Sequence, residues 1–445
     1  MRIRNDDLKA PEPRFSELII DNPKTYADSL RSLEARLFPY YAGYSSSFAV
    51  HLLRSLSLPS EAVVFDPWNG SGTTTSAAAQ LGYHALGQDL NPVMVLVAKA
   101  ALLPRSEASS LVPLAKSIIA TSRQMTGEGL ADDPLETWIM PQNTGFIRRI
   151  EAQINRSLAS YTHYVKLTNA SALSNLSSLA AFFYVALFRA TRRLLADFIP
   201  TNPTWIKTPE TLRHRRRPTE QTVCNAFLAE VVSLSMRLST ITEDLKTDRR
   251  AVITLGNAES VSLPSHSVDA IVASPPYCTR IDYAVATSVE LAVLRCSSND
   301  FDGMRRSLMG TSTVPGHPLP VSKTWGGTCL SFLEKLHDHP SKASSTYYFK
   351  NHVQYFNSLK TSINELARVL RSQGTCTLVV QDSYYKELHN DVAGMTVEMA
   401  EDAGFYLGAR KDFASNRSMA VINIRASKYV TKRITTETIL CFSKA

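Results

Sequence analysis

Between an apolar run and an alanine-rich run lies Phe65-Asp-Pro-Trp-Asn-Gly-Ser-Gly-Thr-Thr74, and this loop constrains the fold more than any other stretch of the chain. Ala62–Phe65 has the apolar, β-branched character of a buried strand, Asp66-Pro67 stops it, and Thr75–Leu81 reads as a helix. A second strand is expected over Tyr83–Gln88, ending at Asp89, and a second helix over Pro92–Ala101. A βαβα opening of this kind belongs to a parallel sheet covered by helices. Gly70 and Gly72 let the backbone pass close to a ligand, and open α/β sheets bind ligands at the carboxyl ends of their strands. The loop is not a P-loop, because no Gly-Lys-Ser/Thr follows, and the third glycine of G-x-G-x-x-G is missing. A plain glycine-rich turn is the alternative, and Asp-Pro ahead with Gly-Thr-Thr behind argues against it. Asp89 stands where open α/β folds hold ribose hydroxyls, a place where acids also serve as helix N-caps.

The strand–helix rhythm breaks at about residue 104. Up to about 250 the periodicity is helical (Phe146–Leu158, Leu179–Leu195, Cys224–Leu245), with no convincing strand. Residues 104–250 hold 19 Lys and Arg against 13 Asp and Glu, so +6 of the chain's formal +8 lies here. The basic residues concentrate at Arg189, Arg192, Arg193, Lys207, Arg213 and Arg215–Arg217. Strands are expected again at Ala251–Leu255, Val268–Ala273, Thr375–Val380, Phe405–Ala409 and Thr436–Phe442, with helices over His352–Leu370 and Asn390–Ala403. The chain thus reads as one α/β domain, 36–103 and 250–445, interrupted by a helical basic insertion, 104–249. Residues 1–35 read as an arm with little core of its own, and 297–350 as irregular.

The second chemical motif is Ala273-Ser-Pro-Pro-Tyr277, at the end of the apolar run Val268–Ala273. Two prolines at a strand end make a rigid turn that cannot extend the sheet. Such a turn presents the Ser274 hydroxyl and nearby carbonyls as fixed acceptors, and Tyr277 adds a flat aromatic face, which suits a planar base bearing an amino group. The alternative is a loop that merely ends a strand.

At these residues the chain resembles the DNA amino-methyltransferases, the N4-cytosine and N6-adenine enzymes of restriction–modification and related bacterial systems. Asp66-Pro-Trp-Asn-Gly-Ser-Gly-Thr-Thr74 is similar to their cofactor motif and Ser274-Pro-Pro-Tyr277 to their catalytic motif. Arg36-Leu-Phe-Pro-Tyr-Tyr-Ala-Gly-Tyr44 is similar to the segment that touches the methionine part of the cofactor. The resemblance implies an α/β, Rossmann-like methyltransferase fold with a mixed, mainly parallel seven-stranded sheet and a large helical insertion. It implies S-adenosyl-L-methionine held by Tyr41, Asp66, Pro67, Asn69, Gly70, Ser71, Gly72, Thr73, Asp89, Leu90, Asn91, Asn257 and Ala258. Catalysis would fall to Ser274, Pro275, Pro276 and Tyr277, with no metal. The Ser-Pro-Pro-Tyr form is commoner among the N4-cytosine enzymes, so cytosine N4 is the expected target and adenine N6 the alternative. Two departures stand out: Asn257 replaces a usual acid, and the long insertion falls between the second and third strands. Asp382 and Tyr384, after a later strand, either face the same pocket or act as structural caps.

Double-stranded DNA is the expected partner, together with a cognate restriction or defence protein. Arg213, Arg215, Arg216 and Arg217 are the residues expected to neutralise phosphates, contacts that position without specifying sequence. A solvated charged face is the alternative. Trp205 is either core, the favoured reading, or a base-stacking wedge. An RNA amino-methyltransferase of the N2-guanine type could use the same two motifs, whereas a dehydrogenase is disfavoured by the missing third glycine. The sequence has no apolar run near the roughly 20 residues of a bilayer span and no secretory signal core, and its six cysteines form no C-x-x-C pair. A cytoplasmic enzyme without a zinc site is therefore expected.

Overall fold

The computed structural model describes residues 15, 17–24, 37–38, 43–126, 129–159, 164–200, 205–240, 251–278, 281–415 and 435–444. Its centre is a seven-stranded sheet in the order β3-β2-β1-β4-β5-β9-β8. The strands are β1 Val63–Asp66, β2 His84–Asp89, β3 Ala251–Leu255, β4 Val268–Ala273, β5 Leu370–Gln381, β8 Phe405–Ser415 and β9 Thr435–Lys444. β3, β2, β1, β4 and β5 run parallel, and β9 is inserted antiparallel between β5 and β8. This is a mixed, mostly parallel sheet covered by helices, an α/β Rossmann-like methyltransferase fold. The strand order reverses between β1 and β4, and both end at the same edge of the sheet.

Helix α1 (Ser46–Ser55) precedes β1, α2 (Thr73–Leu81) joins β1 to β2, and α3 (Pro92–Ala101) follows β2. The start of α3 is fixed by Asn91, whose Oδ1 accepts from the Val93 amide at 3.0 Å, and by Pro92 in the first helical position. Every residue of α3 is buried, because one side faces the sheet and the other faces the insertion.

The insertion supplies α4 (Ala108–Gln124), α5 (Pro141–Leu158), α6 (Ala170–Ser174), α7 (Ser178–Leu194) and α8 (Glu220–Ser239), and no described residue between β2 and β3 forms a sheet strand. Helix α7 is buried almost all round from Ala180 to Phe188 and packs between α3 and α8. A single apolar cluster joins Val93–Ala101 of α3 to Phe182–Phe188 of α7 and Phe227, Val231 and Leu234 of α8. After β4 come α9 (Tyr283–Ala286), α10 (Ser288–Val293), α11 (Ser298–Ser307), α12 (Gly327–Asp338) and α13 (Phe349–Val369). A small hairpin, β6 (Ser383–Tyr385) and β7 (Leu388–Asn390), precedes α14 (Val392–Asp402).

Three expectations change. The stretch expected to be irregular over 297–350 contains α11 and α12; α11 has no buried residue and so carries no apolar period, and a helix capped by Ser297 forms there all the same. The Ser383–Asn390 hairpin is too short to show an alternating pattern. The described part of the N-terminal arm, expected to have little core of its own, packs against the core of the α/β domain. Ile20 is buried, Phe15 and Leu18 lie against the same cluster, and the Phe15 ring rests on Gly408 of β8, where any Cβ would collide with it. Lys411 also donates to the Ile20 carbonyl at 2.6 Å, and the Ser45 amide to that of Pro23 at 2.8 Å.

Candidate functional site

A cleft enclosing about 1340 Å³, part of it open to solvent, lies where the strand order reverses. Its walls come from the loops after β1, β2, β3 and β4, from Phe38, Gly43 and Tyr44 ahead of β1, and from Arg192 of α7.

The loop after β1 contributes Asp66, Pro67, Trp68, Asn69, Gly70, Ser71 and Thr73 to the lining. Gly72 sits behind them at φ 90°, beneath α3, where a Cβ would stand 3.0 Å from that of Ala98; this is why the loop needs glycine there. Asp66 is buried, and its carboxylate accepts from the Thr74 hydroxyl at 2.7 Å and the Trp68 amide at 3.1 Å. Tyr44 hydrogen-bonds to Thr74 in turn, and both hydroxyls reach the Val272 carbonyl of β4. Burial pushes the Asp66 carboxyl up to about 7, against which the Thr74 and Trp68 hydrogen bonds pull. The Asn69 side chain accepts from Thr75 at 3.0 Å, while its Nδ2 is buried with no partner among the described residues.

Asp89, Leu90 and Asn91 line the cleft at the end of β2. The Asp89 carboxylate accepts from the Gly70 amide at 2.9 Å and the Asn91 amide at 2.8 Å, which ties the first two loops together. Burial raises its carboxyl to about 6. The helix N-cap is Asn91 rather than Asp89, and its Nδ2 donates to Thr287 at 2.9 Å. After β3, Asn257 and Ala258 both line the cleft, but the Asn257 Oδ1 is engaged by the Glu259 amide at 3.0 Å in a local turn. Glu259 itself lines the cleft, and no motif in the sequence marks it.

Opposite these loops stand Ser274, Pro275, Pro276 and Tyr277. The Ser274 hydroxyl donates to the Val379 carbonyl of β5 at 2.9 Å, so its proton is spent and its lone pairs remain as acceptors. The Pro276 carbonyl accepts from the Tyr355 hydroxyl at 3.0 Å. The Tyr277 hydroxyl donates to Glu437 of β9 at 2.7 Å and accepts from Lys24 at 3.0 Å. Burial first, and the Glu437 charge second, push the Tyr277 phenol well above its ordinary value. Tyr283 and Ile281 complete this wall. Lys24 and Glu437 carry no sequence signal, being brought here from an N-terminal stretch and from the middle of a closing strand.

Some expected residues lie elsewhere. Tyr41 is outside the described residues. Asp382 and Tyr384 do not line the cleft: Asp382 is held by the Thr436 amide at 2.6 Å and by His389 at 2.7 Å, and the Tyr384 ring packs 5.0 Å from that of His389. The structural alternative therefore describes them. None of Arg213, Arg215, Arg216 and Arg217 lines the cleft. Arg213 and Arg217 are exposed and Arg215 is half-buried. Arg216 pairs with Asp197, lies 5.9 Å over the Phe198 ring and bridges the Ile139 backbone, so it is a structural tie. Arg189 and Arg192 are ties as well, paired with Glu230 and Glu290. Trp205 is 55% exposed and Leu212 59%, which corrects the favoured core reading of Trp205.

Among the described residues no group of three or more His, Cys, Asp or Glu is arranged to hold a metal ion, and no helix is long and apolar enough to cross a membrane. No family model matches the chain. Over 399 residues the chain is 23% identical to the Type II methyltransferase M.BsoBI of Geobacillus stearothermophilus, an alignment covering 83% of this chain and 74% of that protein. That likeness and the strand order agree on a methyltransferase fold.

Proposed function

We propose that this protein is a DNA methyltransferase that uses S-adenosyl-L-methionine to methylate the exocyclic amino group of a base, with cytosine N4 favoured over adenine N6 by the serine at 274. The observation that carries the reading is one cleft at the sheet's reversal point, with the glycine loop, buried Asp66 and half-buried Asp89 on one side and the Ser-Pro-Pro-Tyr turn on the other. Likeness to a Type II methyltransferase supports it.

The residues fit the cofactor on their own chemistry. Two carboxylates with raised pKa values, Asp66 buried and Asp89 half-buried, gain from a cationic and hydroxyl-rich ligand, which returns the charge stabilisation that desolvation removed. The orphaned Asn69 Nδ2 adds a donor facing the same loop. Asp66, Asn69 and Gly70 would hold the methionine portion together with Tyr41, and Asp89 the ribose, with Asn257 and Ala258 at the adenine. The cofactor supplies a methyl group on a positively charged sulfur.

The chain's own residues then orient the acceptor. A base amino group has its lone pair delocalised into the ring and is a weak nucleophile. Hydrogen bonds from that amino group to the Ser274 lone pairs and the Pro275 carbonyl draw the nitrogen toward tetrahedral geometry and localise the pair. The Ser274–Val379 bond fixes the acceptor's direction, and positioning supplies most of the acceleration. The base must leave the duplex stack to reach this turn. Phosphate contacts fall to exposed Arg213 and Arg217 with Arg215, and the neighbouring exposed Trp205 and Leu212 suit contact with bases or sugars. A restriction or defence protein as cognate partner belongs to the same reading.

The test is expression in a methylation-free host, with modified bases in its genomic DNA read by mass spectrometry and single-molecule sequencing. N4-methylcytosine within one short motif, lost in Ser274→Ala and Tyr277→Ala, is the expected result. N6-methyladenine would keep the enzyme class and overturn the cytosine assignment, and a methylated RNA base with unmodified DNA would overturn the DNA reading.

A further inference from the structure

Half-buried Lys24 and buried Glu437 form a brace behind the Ser274–Tyr277 turn, and the function proposed above does not use them. The Glu437 side chain is 1% exposed, accepts the Tyr277 hydroxyl at 2.7 Å, and has its second oxygen, Oε2, buried with no partner among the described residues. The Lys24 ammonium stands 3.3 Å from Glu437 Oε1, donates to the Tyr277 hydroxyl at 3.0 Å and to the Gly43 carbonyl at 2.7 Å, and lies 5.4 Å from the centre of the Tyr277 ring. Gly43 lines the opposite wall of the cleft, next to Tyr44, which reaches Asp66 through Thr74. One ammonium thus joins the cofactor-side wall to the base-side wall.

We propose that Lys24 and Glu437 are positioning residues that act through Tyr277, fixing the plane of its ring against the base and tying that plane to the cofactor-side wall. The inference rests on the reading that the Ser274–Tyr277 turn receives the base. A phenol ring attached to a proline turn can rotate about its two side-chain torsions; a hydroxyl gripped at the far end fixes the ring's position directly, and its plane through the preference of the O–H for lying in the ring plane while it points at Glu437. A buried carboxylate is costly to retain unless paired, and here its partners are the tyrosine and the one lysine that also contacts the other wall.

The experiment follows Tyr277 directly, with kinetics beside it. In full-length protein labelled with 13Cζ-tyrosine, the Tyr277 resonance is assigned by its loss in Tyr277→Phe. Glu437→Gln and Lys24→Met are expected to move it, while Lys411→Met, which cuts a different tie of the same N-terminal segment, leaves it in place. In methyl transfer to plasmid DNA, Glu437→Gln is expected to lower kcat roughly tenfold with less than about a twofold change in cofactor affinity. The double variant Glu437→Gln/Tyr277→Phe should be no slower than Tyr277→Phe alone, because both remove one interaction. A resonance indifferent to Glu437→Gln, or losses that simply multiply in the double variant, would overturn the brace. A wild-type protein that methylates no DNA would sink the enzyme reading instead, and the resonance would still decide the brace.

Discussion

Asp66 is held partly as an acid by its surroundings, and that has a consequence for pH. Its carboxyl titrates at about 7 in the folded chain against 3.8 for the unfolded group. A raised acid pKa means the folded state keeps a proton that the unfolded chain gives up, so this contribution to stability is present below pH 3.8 and is lost as the pH climbs to about 7. Thermal unfolding between pH 5 and pH 8 should therefore show a falling melting temperature in the unliganded protein, with a shallower fall in Asp66→Asn. A cationic ligand reverses the balance, because it favours the ionised carboxylate. Affinity for S-adenosyl-L-methionine should rise from pH 6 to pH 8 in the wild type by roughly tenfold at most per ionising group and lose most of that rise in Asp66→Asn. Calorimetric titration at the two pH values checks this; equal slopes for both proteins would remove Asp66 from the cofactor site. Asp66, Asp89 and Ser274 were legible in the sequence because each sits at a strand end in a short fixed motif. Glu259 and Lys24 were not, because their placement depends on a local turn and on packing between distant segments.

Among the elements, the sheet is legible in the sequence and the facing of the basic residues is not. β1 to β4 are short apolar runs closed by Asp, Pro or Gly, and the residues that end them define the cleft. In α7, by contrast, a count of arginines says nothing about which way they face. Arg189 and Arg192 turn inward to Glu230 and Glu290, and the Arg192 guanidinium stacks 5.5 Å over Phe38. Two of the 19 cationic side chains between 104 and 250 are thereby neutralised within the molecule. Other cations stay exposed, Lys116 and Arg156 among them, and so does the segment from Trp205 to Arg217, anchored by the Lys207 amide to the Phe198 carbonyl at 2.9 Å and by the Trp138 indole to the Lys207 carbonyl at 2.9 Å. The residues within it should separate by role. Arg213→Ala and Arg217→Ala should each reduce the slope of log affinity against log salt for a 30-base-pair duplex by about 1, leaving the melting temperature unchanged. Arg216→Ala should lower the melting temperature and leave the slope close to that of the wild type. The reverse pattern would move the phosphate-binding surface elsewhere.

Across the whole molecule, the insertion and the α/β domain are locked by buried charge as well as by their shared apolar core. Arg148 of α5 is fully buried, makes a two-pronged pair with Asp133 at 2.9 and 2.5 Å, and donates to the carbonyls of Ala292 and Val293 in α10 at 2.7 Å each. Nearby, Glu151 takes the Arg295 guanidinium at 2.8 Å and the hydroxyls of Tyr164 and Tyr184 at 3.0 Å each, and burial still raises its carboxyl above the usual range. Removing one partner of such a pair strands the other charge in the core. Asp133→Ala should cost about 3–5 kcal/mol in chemical denaturation. A loss below about 1 kcal/mol would mean that water reaches the site. A sequence shows neither pair: Asp133 meets Arg148 only once the turn ahead of α5 has folded back on that helix, and Glu151 meets Arg295 only after the insertion has docked.

The brace at Tyr277 also sets a schedule for synthesis. Lys24 and Tyr277 are separated by 253 positions, and Tyr277 and Glu437 by a further 160. The ribosome delivers the lysine first, the tyrosine midway and the glutamate only with β9, the strand that also fills the gap between β5 and β8. A growing chain can shape the glycine loop and even the proline turn, but it cannot yet fasten one to the other. On the proposed reading Tyr277 gains its buried carboxylate partner only with the last strand, so the turn takes its final setting late in synthesis.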